Sequence, residues 1–165
     1  MSKIEIHCKF DSLVNPKDLK DYAKNPNKHG SDQIERLAEI YKYQGIRHPI
    51  IYDKERDCIA AGHGRKLAAI RAGIKEFPVV YQTFDSDEQF YAFVTSDNAV
   101  ALWAELDLTG ISAVIPDLGP EFNIDMLGLK NFTLDFNDKE FNPDDDSEEE
   151  SNKKVKTCPH CGEAL

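Results

Sequence analysis

Long apolar runs are missing from this 165-residue chain. No window approaches ~18 consecutive apolar residues, the length a helix needs to cross a bilayer. The start of the chain also lacks a signal peptide's apolar core, because Met1-Ser2-Lys3-Ile4-Glu5 alternates charge with apolar residues. These absences predict a soluble, non-secreted protein with no membrane partner. Cysteine is scarce. Cys8, Cys58, Cys158 and Cys161 are too few and too unevenly spaced for a disulfide framework, and the last two form a CxxC pair suited to metal in a reducing cell. The expected compartment is therefore the cytoplasm. No repeat of the solenoid kind is present, and the length excludes two full domains while leaving room for one domain and an appendage.

Positive charge is also in deficit. There are 20 Lys and Arg against 30 Asp and Glu, a net charge of -10, which argues against coating nucleic acid by charge alone. The distribution is uneven, however. Residues 1–75 hold 15 basic against 10 acidic residues, a local +5, so the remaining 90 carry -15. Either the first half faces DNA phosphates, which the second cannot, or the asymmetry is solvated surface with no role.

Composition changes abruptly near residue 137. Asn142-Pro143-Asp144-Asp145-Asp146-Ser147-Glu148-Glu149-Glu150-Ser151-Asn152 buries almost nothing and repels itself. The expected organisation is a body over 1–134, an acidic flexible linker over 135–157 and a knuckle over 158–165. Within the body, Ile4–Cys8 alternates like an opening strand, and Asn15-Pro16 and Asn25-Pro26 punctuate a polar stretch. Asp32 with Glu35 resembles a capping box for a helix with Ile34, Leu37, Ala38 and Tyr41 on one face and Gly45 as its stop. Pro49–Tyr52 and Cys58–Ala61 read as a hairpin, Lys66–Ala72 as a helix, Phe77–Tyr81 as a strand and Ser86 with Gln89 as another helix start. Further helical pieces are expected over 98–106 and 125–129. The fold class is mixed α/β (α+β), a single domain.

The element able to carry chemistry is the turn after the second strand, Gly62-His63-Gly64-Arg65-Lys66. A strand that runs through glycines into a helix presents unpaired N–H groups and the positive end of a dipole, which favours phosphate. Gly62 and Gly64 allow close backbone approach, Arg65 offers a fork of donors, Lys66 a second cation, and His63 a donor or, in catalysis, a proton acceptor. A glycine-rich tight turn without a ligand gives the same string. At the other end, Cys158-Pro159-His160-Cys161-Gly162 reads as one zinc knuckle, with Cys158 and Cys161 as Zn2+ ligands. No second CxxC follows, so two chains share the ion, or Cys8 or His160 contributes, or the knuckle is a metal-free remnant.

Taken in order, Asn25-Pro26-Asn27-Lys28-His29, Gly45-Ile46-Arg47-His48-Pro49-Ile50-Ile51 and Cys58-Ile59-Ala60-Ala61-Gly62-His63-Gly64-Arg65-Lys66-Leu67-Ala68-Ala69-Ile70-Arg71-Ala72-Gly73 resemble the N-terminal domain of the ParB/sulfiredoxin superfamily. The likeness is strongest to the branch found in phages and beside DNA-modification methyltransferases, and Asp97-Asn98 and the Trp103 segment match it too. In partition proteins the matching Gly-Glu-Arg-Arg turn binds the triphosphate of CTP. Here Gly62, His63, Gly64 and Arg65 occupy those places, without the acidic residue. The resemblance further places Asn25, Asn27, Lys28 and His29 beside the turn. Sulfiredoxins attack with a cysteine in this turn, and no cysteine lies between Cys58 and Cys158, which speaks against that chemistry.

Three functions follow as expectations. The first is a nucleotide-binding, DNA-associated accessory protein of a phage or mobile element, working with DNA-modification or packaging enzymes. The second is a small phosphotransferase or NTPase acting on a nucleoside triphosphate with Mg2+, with His63 catalytic and Asp32, Glu35 and Glu39 as remaining carboxylates. The third is a protein-interaction module with an inherited, inactive site. No helix-turn-helix follows the body, so sequence-specific DNA reading has no vehicle. Oligomeric state is not encoded in these patterns.

Overall fold

A computed structural model describes residues 4–130. The sheet has four strands, β1 (Ser12–Val14), β2 (Ile50–Asp53), β3 (Cys58–Ala61) and β4 (Phe77–Tyr81), in the order β1-β4-β2-β3. Only β2 and β4 run parallel, with Ile50 opposite Val79 and Tyr52 opposite Tyr81. The other two pairings, β1 with β4 and β2 with β3, are antiparallel. Among the described residues four α-helices accompany them: α1 (Ser31–Gln44), α2 (His63–Arg71), α3 (Asp87–Ala99) and α4 (Leu108–Val114).

Alternation along the strands divides the core into two. Ile50, Tyr52, Ile59, Phe77 and Val79 pack with Ala38 and Tyr41 of α1 and with Ala68 and Ala69 of α2. Their sequence neighbours Ile51, Cys58 and Ala60 pack with Phe90 and Val94 of α3 on the opposite side. The alanines Ala38, Ala68 and Ala69 are at most 1% exposed, and their small side chains let α1 and α2 approach closely. The β2–β3 turn is built around Asp53, which is fully buried; its Oδ1 accepts the N–H groups of Glu55 and Arg56, and its Oδ2 accepts Arg56 Nη1 at 2.8 Å. Arg56 also reaches Asp87 at the start of α3, so one carboxylate–guanidinium chain ties the turn to the helix.

Several expectations change on contact with the fold. Ile4–Cys8 forms a single bridge, Ile6 to Ile46, instead of a strand, and the first strand lies in the polar stretch at Ser12–Val14. Helix α1 starts one residue before Asp32, after Gly30 and without a side-chain cap, whereas Gly45 does close it with φ +75°. Ser86 caps α3 by accepting Gln89 N–H. Beyond Ala99 the chain forms a 3₁₀ turn, Val100–Trp103, then α4 and a second 3₁₀ turn, Ile115–Leu118; the last two were not expected. No single described helix is long and apolar enough to cross a membrane. The acidic linker and the Cys158–Cys161 knuckle lie outside the described residues.

Candidate functional site

Strand β3 passes into α2 through Gly62, whose φ of +106° is a left-handed conformation that glycine adopts without cost. A methyl group there would stand 3.2 Å from both Ile50 Cγ1 and Arg65 Nη1, because the arginine folds back over the turn. No side chain caps the helix. Its first intrahelical bond runs from Lys66 N–H to Gly62 O, so the N–H groups of His63, Gly64 and Arg65 have no carbonyl partner. Three donors and the positive end of a nine-residue helix thus meet at the two glycines.

The loop before α1 closes on the same place. The imidazole of His29 packs on Gly64, where a methyl group would come within 3.0 Å of its Cε1. His29 Nδ1 is held by Gln33 Oε1 at 3.1 Å. Asn25 shapes the loop by accepting Asn27 N–H at 3.2 Å, an Asx turn, while Lys28 is exposed. His29, Gly62, Gly64 and Arg65 therefore form one surface.

Two candidates are otherwise engaged. Lys66 is 9% exposed and its Nζ lies 2.8 Å from Asp21 Oδ2, directed away to an ion pair. His63 is buried, and its Nε2 accepts the backbone N–H of Tyr22 at 3.2 Å, which leaves the ring proton on Nδ1. Burial holds its pKa below the ordinary 6.5, aided by the charges of His29 and Lys66 and opposed by Asp21. The imidazole is neutral, and the lone pair a base would use is taken.

Arg65 donates from Nη1 to Pro49 O at 2.7 Å, which fixes the guanidinium beside the turn; among the described residues its other donors have no partner. Its charge reaches Cys8 and Tyr41, whose pKa values burial nevertheless raises. The remaining carboxylates of the sequence reading serve α1's surface: Glu35 pairs with Arg71 and Glu39 with Lys42. Among the described residues no group of three His, Cys, Asp or Glu is placed to hold a metal ion. Arg47 and His48 are exposed just ahead of β2.

Sequence reasoning missed Asp21, Tyr22 and Pro49, which position the turn from outside it. Two of the three, Tyr22 and Pro49, act through backbone groups, and no side-chain pattern marks a backbone donor or acceptor.

No family model matches the chain. It is 35% identical over 72 residues to the ParB-like nuclease domain-containing protein YnaK of Escherichia coli (strain K12), an alignment covering 44% of this chain and 82% of that protein. Among solved structures it is similar to the C-terminally truncated chromosome-partitioning protein ParB from Caulobacter crescentus complexed with CTP-gamma-S. There the TM-score is 0.57 at 22% identity, over 64% of this chain and 61% of that one, so the likeness spans less than two thirds of the solved chain. The same protein complexed to the centromeric parS site overlaps with a TM-score of 0.46 at 20% identity, over 73% of this chain and 66% of that one.

Proposed function

The chain belongs to the ParB-like nuclease domain family, and from that premise we propose that it is a nucleotide-binding, DNA-associated accessory protein whose α2 turn takes the phosphates of a nucleoside triphosphate. The observation that carries this reading is the uncapped start of α2, where three unpaired N–H groups, the Arg65 guanidinium and the His29 ring surround Gly62 and Gly64. CTP is the first nucleotide to test, because the ParB whose fold this chain shares is complexed with CTP-gamma-S. DNA is proposed to meet the basic first half, and the working partners are proposed to be DNA-modification or packaging enzymes of a phage or mobile element. Cys158 and Cys161 are proposed zinc ligands, separate from the turn.

Binding without turnover is favoured over phosphoryl transfer. A general base needs a free lone pair, and His63 Nε2 already accepts Tyr22 N–H. Mg2+ would arrive with the nucleotide, held by its phosphates.

The test is thermal unfolding of the full chain with CTP, ATP and GTP, each with Mg2+, for wild type and Arg65→Ala. A ligand at 100 times its Kd stabilises the native state by about 2.7 kcal/mol. One nucleotide is expected to raise Tm in the wild type and to leave the variant unmoved. No rise with any nucleotide, or an equal rise in the variant, would reject the assignment.

A further inference from the structure

The stretch that follows α3 is built unlike the rest of the protein. The 3₁₀ turn Val100–Trp103 leaves Leu102 84% and Trp103 81% exposed. Leu106, Leu108, Val114 and Leu118 are all at least 49% exposed, and Ile115 is the one buried residue of α4 and its 3₁₀ extension. Leu106, Val114, Ile115 and Leu118 line a groove of about 440 Å³, its apolar wall completed by Ile111 and Leu127. Soluble chains seldom expose so much contiguous aliphatic surface without something that covers it.

Charge identifies what covers it. The groove's charged lining residues, Glu105 and Asp107, are both exposed carboxylates. Asp97, Asp117, Glu121 and Asp125 complete the acids from Asp97 to Leu129, a span with no Lys, Arg or His. Among the described residues only Asp125 of these is paired with a cation, Arg36 at 3.0 Å. An apolar groove whose charged lining is of one sign, in a span that carries no cation, repels a second copy docking through the same face, an anionic lipid surface, nucleic acid and the chain's own acidic run at Asp144–Glu150.

From this we infer that the groove beside α4 docks an amphipathic helix of a partner protein, its apolar side seated on Leu106, Val114 and Leu118 and its flanks rich in Lys or Arg. Recognition follows the helix-in-groove mode, with apolar anchors for affinity and charge for orientation and choice of partner. This surface is distinct from the α2 turn and stands or falls independently of nucleotide binding.

Trp103 is the chain's single tryptophan, 81% exposed and two residues before the groove-lining Glu105, so its emission serves as a nearby reporter in the full-length protein. The probes are a synthetic amphipathic Leu/Lys helix, the same peptide scrambled to destroy its apolar face, and a Leu/Glu counterpart. The Leu/Lys helix is expected to shift Trp103 emission to the blue in a saturable manner that weakens with salt, while the other two do nothing. Reversing Glu105→Lys and Asp117→Lys together is expected to weaken binding about tenfold, and Leu106→Ser with Leu118→Ser to remove it, without change in far-UV circular dichroism. An equal response to the scrambled or acidic peptide, or none to any, would overturn the inference. So would a Trp103 already shielded from acrylamide in the protein alone: concentration-dependent shielding would mean a second copy, and concentration-independent shielding the chain's own tail. A blue shift on phosphatidylserine vesicles equal to that with the peptide would assign the face to lipid instead.

Discussion

His29 covers Gly64 so closely that a methyl group on the glycine would stand 3.0 Å from the ring's Cε1 and 3.1 Å from its Nδ1. Two segments separated by the whole of α1, β2 and β3 thereby share one surface, and the absent side chain keeps the helix N–H groups accessible.

Gly64→Ala separates stability from binding. Alanine in the first turn of α2 gains up to about 1 kcal/mol of helix propensity, offset by the few tenths of an ångström the His29 ring must give. The expected outcome is a Tm close to wild type together with loss of nucleotide-induced stabilisation, read by thermal shift. Gly62→Ala should behave differently. Its φ of +106° costs about 1–2 kcal/mol for any Cβ-bearing residue, so this variant unfolds earlier even without ligand.

His63 makes the fold sensitive to acid. Its folded-state pKa lies below the ordinary 6.5 because burial disfavours the imidazolium, and the Tyr22 N–H faces Nε2 where a proton would have to bind. The folded state therefore binds fewer protons than the unfolded one. The stabilisation is complete above pH 6.5 and declines as pH falls from there toward the folded-state value, by at most about 1.4 kcal/mol per pH unit. His63→Gln, which keeps an acceptor near Tyr22 but does not titrate, is expected to flatten that limb in urea melts between pH 7 and pH 5. An unchanged limb would place the acid sensitivity elsewhere.

Much of this architecture is legible in the residues. The β2–β3 hairpin, α2, β4 and the Ser86 cap follow from local period and capping chemistry, which act within a few residues. The likeness of the Asn25–His29, Gly45–Ile51 and Cys58–Gly73 segments to one superfamily also located the turn. What sequence reading missed depends on contacts distant in the chain. Ser12–Val14 is a strand only because β4 pairs with it, Leu13 lying opposite Pro78. Ile4–Cys8 has strand-like alternation and only the Ile46 bridge. Helix α4, short and largely exposed, has no apolar face turned to the core, so periodicity does not announce it. At the site, Lys66 looks like a phosphate ligand until the fold brings Asp21 to it.

Asp53 is expected to dominate the stability of the sheet's β2–β3 end. Burial pushes its carboxyl up, but the Arg56 side chain and the N–H groups of Arg56 and Glu55 outweigh this and hold its pKa below the usual carboxylate value. Asp53→Ala removes every one of these partners at a fully buried site and should cost about 3 kcal/mol or more. Asp53→Asn keeps an oxygen for the two backbone donors and should cost less. Chemical denaturation of both variants gives the comparison, and equal costs would mean that charge pairing, not turn hydrogen bonding, carries the effect.

Lys66 supplies the sharpest distinction between a phosphate ligand and a brace. Its ammonium lies 2.8 Å from Asp21 Oδ2, while its stem is buried beside the helix start. Asp21 is half exposed, so solvent screens the pair, and its loss should cost no more than about 1 kcal/mol when the buried stem is preserved. Lys66→Met preserves that stem. The expected outcome is a modest fall in Tm with nucleotide affinity within about twofold of wild type, in contrast to the loss expected for Arg65→Ala. Isothermal titration on the folded variants decides between the two roles. If Lys66→Met abolished binding while the protein stayed folded, the ammonium would have to leave Asp21 for the phosphates when nucleotide arrives. Asp21→Asn, which frees the lysine in advance, would then bind more tightly than wild type; on the bracing role it does not.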